Sequence, residues 1–322
     1  MKKFIIIIMV SAFLFLNLGS DVLKKSKSEV SFAKYGLFKT ERTEVVSPLI
    51  KRTDSNDYFK GKGLLNKLAA KVFFKNGEFT KIIDLKKKII SNINHKKKRI
   101  KEREIKKIPG KTEQEEEAEE GDEGEESDVT VTKNKLTVSV TGQKKVINGF
   151  PSREYIVLWE VEWERNDGPE KGSSKLVSNV WTTPVTRIIG TAQKAESVFF
   201  TNYMKALGLN TDFKQDEILG GSWLRIFGSL SKSSSRQDSE KAAKFRKELL
   251  KIKGYPVIVD GEYYTAKTGA KKKKGLKGLL KKKKKKDAEE KPKFTFYTEV
   301  LELKLKKSDA SDYTYPEGYK IK

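Results

Sequence analysis

Between Arg153 and Arg165, Tyr155, Val157, Trp159, Val161 and Trp163 hold odd positions while Glu154, Glu160, Glu162 and Glu164 hold even ones. A period of two with one apolar and one wet face predicts a half-buried antiparallel strand. Asn148-Gly149 before it and Asn166-Asp167-Gly168 after it supply turn chemistry. The β pattern covers 129–180 and includes a second strand, Lys175 to Thr182, with Val177, Val180 and Trp181. Upstream, Thr43–Ile50, Ala70–Phe74, Phe79–Leu85, Lys88–Ile93 and Lys98–Ile105 read as shorter strands, with a hairpin turn at Asn76-Gly77. Leu64–Ala70 suits a short helical turn as well as a strand. Near the C-terminus Phe294, Phe296 and Val300 share one parity, and Leu301, Leu303 and Leu305 the other. That change of phase predicts a bulge or bend.

Two segments carry helical spacing instead. Ala192–Leu207 places Phe199, Phe200, Tyr203 and Leu207 on one side, with Gly208 suited to end the helix. Ala242, Phe245, Leu249 and Ile252 follow three- and four-residue steps, with Asp238 as a cap and Gly254 just beyond. Strands, two helices and more strands predict an α+β fold, a curved antiparallel, half-barrel-like sheet packed against two or more helices. Residues 21–40 are polar and weakly patterned and read as a mobile leader. Residues 41–322 then form a single domain. An acidic loop at 111–128 and a lysine-rich loop at 267–292 interrupt it.

Those two loops hold the most extreme composition. Residues 113–128 carry eleven acids and no base, and residues 271–286 carry eleven lysines and no acid. Neither buries enough apolar surface to offset ordering entropy, so both are expected to be disordered. They cancel: the chain has 68 Lys+Arg against 44 Asp+Glu, a net charge of +24, and stays at +24 without both runs. Residues 81–107 alone hold twelve bases against three acids. The positive charge therefore belongs to the sheet region as well and favours an anionic environment.

Cysteine is absent and histidine occurs once, which excludes disulfide scaffolds, thiolate nucleophiles, iron–sulfur clusters and multi-histidine metal sites. Residues 1–20 have a basic head at Lys2-Lys3, an apolar run from Phe4 to Leu18 and small residues at Gly19-Ser20. This is the layout of a secretory signal peptide, cleaved near Ser20, and the run is short for a bilayer span. The alternative is an uncleaved anchor. Without a following cysteine, bacterial lipidation is excluded. Export to the periplasm or cell surface of a bacterium makes nucleic acid an unexpected partner.

Catalytic signals are absent. His95 sits in the cationic turn Asn94-His95-Lys96-Lys97 and reads as an exposed turn residue, and no G-x-S-x-G elbow exists for it to serve. Glu160, Glu162 and Glu164 have a spacing compatible with paired carboxylates, but alternation on any solvated face produces it. The acidic run lacks the fixed ligand positions of a calcium loop, and Gly269–Gly275 lacks the Lys-Ser/Thr of a phosphate loop. No enzyme activity, cofactor or metal is expected.

Two binding candidates remain. Tyr155, Trp159, Trp163, Phe199, Phe200, Tyr203, Trp223 and Phe245 can line an apolar ligand pocket, although such residues more often form core. Lys271, Lys272, Lys273, Lys274, Lys277, Lys281, Lys282, Lys283, Lys284, Lys285 and Lys286 can hold an anionic surface, with Leu276, Leu279 and Leu280 dipping into an interface.

Lys81-Ile82-Ile83-Asp84-Leu85 with Asn94-His95-Lys96-Lys97-Lys98 resembles a strand–turn–strand of uncharacterised bacterial exported domains. Ile147-Asn148-Gly149-Phe150-Pro151 leading into Tyr155, and then Val180-Trp181, is similar to their start of a long strand and the Trp-bearing strand after it. Gly254-Tyr255-Pro256-Val257 and Tyr315-Pro316-Glu317-Gly318-Tyr319 fit as well, so the resemblance spans roughly 40–320. It implies a half-barrel like those of periplasmic lipoprotein carriers, with a curved sheet around an apolar cavity. The cysteine often found after the Asn-Gly position is replaced here by Ser152-Arg153, and the charged insertions also depart from the pattern. The expected function is therefore non-enzymatic: an exported envelope protein holding an apolar or amphipathic ligand such as lipid or lipoprotein. The alternative is adhesion to anionic lipid or polysaccharide through the basic surface.

Overall fold

A computed structural model of the chain describes residues 20–63, 76–108, 129–209, 244–245, 247–268, 291–307 and 309–322. The strands are β1 (Ser20–Phe32), β2 (Gly36–Val46), β3 (Ile50–Gly61), β4 (Gly77–Asp84), β5 (Ile89–Asn94) and β6 (Arg99–Glu104). They continue with β7 (Val129–Ile147), β8 (Phe150–Arg165), β9 (Lys171–Thr183), β10 (Tyr255–Thr268), β11 (Phe294–Lys307) and β12 (Lys320–Ile321). All belong to one sheet in the order β12-β6-β5-β4-β3-β2-β1-β11-β10-β9-β8-β7. Every pairing is antiparallel except β12 with β6, and the two ends of the sheet do not join. Helices α1 (Arg187–Ala206) and α2 (within 244–249) are the only α-helices among the described residues. The protein is thus mostly β, with a large open sheet and few helices, and the balance expected of an α+β fold is not met. No helix among the described residues is long and apolar enough to cross a membrane.

β1 corrects the reading of residues 21–40 as a mobile leader. It is a central strand, paired with β11 from Ser20 to Phe32 on one side and with β2 from Val22 to Phe32 on the other. Its sequence, SDVLKKSKSEVSF, is polar because hydrogen bonding on both edges, not an apolar face, holds most of it. Buried Val22 and Asp21 anchor its start, with Asp21 accepting from the Tyr313 hydroxyl at 2.8 Å.

The expected phase change in β11 is present. Lys25 pairs with Glu302 and Ser26 with Val300, so Leu301 is extra and the register shifts. The bulge returns Phe294, Phe296, Val300, Leu303 and Leu305 to one face despite their mixed parity. Two similar turns make the β4–β6 meander. The Lys87 backbone N–H donates to Asp84 Oδ1 at 3.0 Å, and the Lys97 N–H to Asn94 Oδ1 at 2.9 Å. Each turn then closes through a lysine in the left-handed region, Lys88 at φ 55° and Lys98 at φ 47°.

Thr186 caps α1 by accepting from the Ile189 N–H, and the helix buries Ile189, Ala192 and Phe199 against the sheet. Lys24 from β1 reaches Glu196 of α1 at 3.1 Å. Burial works against the Lys24 charge, but Glu196 and other neighbouring acids hold its ammonium above the usual lysine range. α2 packs Leu249 and Phe245 over β7, β8 and β9. The side bearing α1 and α2 is here termed the helix face.

The opposite face of β3–β6 is covered by the C-terminal strap, 309–322. Tyr315 and Tyr319 pack on Ile82, Ile93 and Ile100, and Arg52 donates to the Asp312 carbonyl at 2.9 Å. β12 ends the strap as a short parallel addition to β6.

Candidate functional site

On β8 the register places Tyr155, Val157, Trp159, Val161 and Trp163 on the helix face, as the alternation implies. The ligand candidates do not gather at one place. Tyr155 and Trp159 are buried with Leu136, Val157, Leu176 and Val180, and Phe245 packs onto that cluster from α2. Phe199 and Tyr203 belong to a separate cluster with Val46, Ile83, Ile90 and Ile105, their rings stacked at 6.3 Å. Phe200 is half-buried on α1. Polar tips are satisfied internally: the Lys253 N–H donates to the Tyr155 hydroxyl at 3.2 Å, and Trp159 Nε1 donates to Asn134 at 2.9 Å. Trp223 lies outside the described residues, as do Lys271–Lys274, Lys277 and Lys281–Lys286 and the acidic run at 113–128.

Among the described residues, exposed aromatic surface lies instead beyond the helices. Phe32, Phe294, Tyr263, Leu176 and Trp159 form one row across β1, β11, β10, β9 and β8. Trp159 at one end is buried, whereas Phe32 at the other is 40% exposed and Tyr35 in the adjoining turn 60% exposed. Ring centroids lie 6.0 Å apart for Phe32–Phe294, 5.0 Å for Tyr263–Phe294 and 6.2 Å for Phe294–Phe296. Glycine makes this floor flat: a Cβ on Gly261 would meet the Phe296 ring at 2.5 Å, and one on Gly172 the Trp163 ring at 2.3 Å. The Lys267 ammonium stands 5.2 Å from the Trp163 ring centroid, a cation at the margin of the aromatic row.

A second surface lies on the same face of β4–β6. Arg99, Lys101 and Arg103 of β6 point to the helix face together with Lys81 of β4, while Glu78, Asp84, Glu102 and Glu104 point to the strap face. Asn92 sits between Lys81 and Lys101 in one row. These four cations make no ion pair among the described residues. Desolvation, with Arg103 and Lys51 nearby, holds the Lys81 ammonium below the usual lysine range.

His95 is not the exposed turn residue its neighbours suggested. It is half-buried, with Nε2 2.8 Å from Thr80 Oγ1 and Nδ1 3.1 Å from the Tyr319 hydroxyl. Thr80 donates to Asp54, which also accepts from Arg52 at 2.9 Å. Tyr319, His95, Thr80 and Asp54 thus form one hydrogen-bonded chain, in which the Thr80 hydroxyl donates to Asp54 and accepts from His95 Nε2. Thr80 is 1% exposed, so the chain fastens the strap and offers no nucleophile to a substrate.

Among the described residues no group of three or more histidines and acids could hold a metal ion. Glu160 and Glu162 both meet Lys133, at 3.3 and 3.2 Å, and Glu164 meets Lys171 at 2.6 Å. These carboxylates are engaged in cross-strand pairs. The Tyr263–Phe294–Phe32 row escaped sequence reasoning because it joins three strands distant in sequence. The charge segregation on β6 did have a signal, since Arg-Ile-Lys-Glu-Arg-Glu alternates by sign.

The class of protein defined so far is an open twelve-stranded sheet with helices on one face and a strap on the other. Compared with known proteins, the chain matches no family model, no curated protein and no solved structure.

Proposed function

We propose that this is an exported, non-enzymatic cell-envelope protein that holds an amphipathic ligand on the helix face of its half-barrel-like sheet. The observation that carries this reading is the aromatic row that continues from the buried core at Trp159 to exposed Phe32 and Tyr35. Apolar residues that extend past their helical cover suit an acyl chain, and half-exposed aromatic rings supply large contact area at little entropic cost. The seat of the ligand moves accordingly. Tyr155, Trp159 and Phe199 are core, while Phe32, Tyr35, Tyr263, Phe294 and Trp163 form the contact surface.

Export fits the same reading. A signal sequence removed near Ser20 leaves Asp21 and Val22 in place at the start of β1. In sequence the lysine-rich segment falls between β10 and β11, the strands that carry Tyr263 and Phe294, which suits a ligand with an anionic head. The test is native mass spectrometry of the mature protein from its envelope fraction, with a Phe32→Asp/Phe294→Asp double variant in parallel. Co-purified amphiphile on the wild type, lost from a variant that still melts cooperatively, is expected. A ligand-free wild type that also fails to bind added fatty acid or phospholipid sinks the proposal.

A further inference from the structure

The β4–β6 surface is independent of the aromatic row and carries its own inference. Three strands and two turns contribute to it, and the sign of charge is sorted by face. On the helix face, β4 presents Gly77, Phe79, Lys81 and Ile83, β5 presents Ile90, Asn92 and Asn94, and β6 presents Arg99, Lys101 and Arg103. No carboxylate lies among them. On the strap face Glu102 accepts from the Tyr315 hydroxyl, and Asp84 lies 3.7 Å from Lys87. The acids therefore serve the fold, and the cations are left to solvent.

Placing cations side by side on a sheet without an intervening acid is unfavourable by itself. Desolvation first, and the neighbouring Arg103 and Lys51 charges second, depress the Lys81 ammonium, and an anion from outside would relieve the repulsive part. The layout also constrains what the anion is. Lys81 and Lys101 stand two strands apart, roughly 10 Å, and Arg99 and Arg103 stand four residues apart, roughly 13 Å. The turn lysines Lys86–Lys88 and Lys96–Lys98 extend the positive area to both ends of the meander. A single small anion cannot meet charges spread this widely, whereas an array of phosphate groups can. Arginine adds a planar fork that takes phosphate oxygens in pairs. α1 covers Ile83 and Ile90 at one end of this face, and its exposed part, Lys81, Asn92 and the β6 cations, runs out to the end of the sheet, with only the two-residue β12 beyond β6.

We propose that the helix face of β4–β6 docks onto an anionic phospholipid bilayer through Lys81, Arg99, Lys101 and Arg103. The chain contains no cysteine, so a single one can be introduced and labelled selectively. Full-length mature protein with Asn92→Cys carries an environment-sensitive fluorophore at the centre of the surface. Lys175→Cys, exposed on the strap face of β9, is the control. Vesicles of phosphatidylcholine alone are compared with vesicles containing phosphatidylglycerol, and vesicle binding itself is read by co-sedimentation.

The expected result is a blue shift at position 92, and not at 175, with phosphatidylglycerol vesicles only. The shift should weaken with salt. In K81Q/R99Q/K101Q/R103Q the apparent affinity at this site should fall by about fivefold per cation removed. The charge-preserving K81R/R99K/K101R/R103K should retain the shift, which separates loss of charge from loss of fold. Vesicle binding with no change at position 92 overturns the proposal, because another segment then makes the contact. A shift produced by soluble polygalacturonate but not by anionic vesicles overturns it too, and makes the partner a polymer.

Discussion

β8 and β6 follow the same rule in sequence and opposite rules in structure. β8 gathers Glu154, Glu160, Glu162 and Glu164 on one face, and β6 gathers Arg99, Lys101 and Arg103 on one face. β8 has neighbours on both sides, and those neighbours answer it: Lys133 of β7 bridges Glu160 and Glu162, and Lys171 of β9 meets Glu164. β6 has β5 on one side, which offers Ile90, Asn92 and Asn94, and only two residues of β12 on the other. Three of the four acids of β8 are paired within the sheet, and the cations of β6 are left outward. A run of alternating charge therefore specifies which face is wet. The neighbouring strands decide whether that face is finished or waiting for a partner.

The sharpest way to break this contrast is to attack the apolar side of β8, where the difference between a filled and an open face is largest. Trp159 is 3% exposed and its Nε1 donates to Asn134. Trp159→Ala should destabilise the protein by about 3–5 kcal/mol, the cost of an aromatic truncation in a packed core. Urea denaturation followed by fluorescence and circular dichroism would measure it. A loss under about 1 kcal/mol would mean that this face is hollow, and the aromatic row would then have to be redrawn as a cavity wall.

The next effect tests a strap-face acid used by the fold. Glu299 accepts from Lys27 at 2.7 Å, from Tyr297 at 2.6 Å and from Asn148 of the β7–β8 turn at 2.8 Å. Burial acts to raise its pKa, but these hydrogen bonds hold the carboxyl below the usual range. A depressed folded pKa contributes stability above the unfolded value and loses it as pH falls through the folded one. Glu299→Gln should cost about 1–3 kcal/mol at pH 7, and the gap to wild type should close as pH is lowered below about 4. A gap unchanged between pH 7 and pH 3 would show that the charge of Glu299 contributes nothing.

These elements also separate what was readable in the chain from what was not. The faces of β8, the bulge at Leu301 and the C-terminal three-quarters of α1 follow from periodicity, because each depends on residues close in sequence, whereas the first turn of α1, capped by Thr186, lies before the expected start at Ala192. β1 was unreadable: its pairing with β11 joins Val22 to Leu305, and no local pattern marks Lys-Lys-Ser-Lys-Ser as the middle of a sheet. The strap was unreadable for the same reason, since Tyr319 finds His95 across 224 residues. The aromatic contact surface shares this difficulty. Phe32 is an unremarkable strand end until β11 places Phe294 beside it. The basic surface was half-legible, because its twelve bases in 81–107 were countable but their sorting by face needed the register.

The smallest effect is the most discriminating, because the two strands should respond with opposite sign. Lys133→Gln removes the cation shared by Glu160 and Glu162 and leaves two acids facing each other's field. For pairs this exposed the change should be a small destabilisation. Lys101→Gln removes one of the like charges of the β6 surface and should stabilise the free protein by about 0.2–0.5 kcal/mol at low ionic strength. Both effects should shrink as salt rises toward 1 M, since exposed charges are screened over a few ångströms there. Thermal melting at 10 mM and 1 M salt gives both values in one series. If Lys101→Gln destabilises, its ammonium has an internal partner and β6 resembles β8 after all. If it stabilises while weakening the bilayer contact, the repulsion is the cost of keeping the surface available.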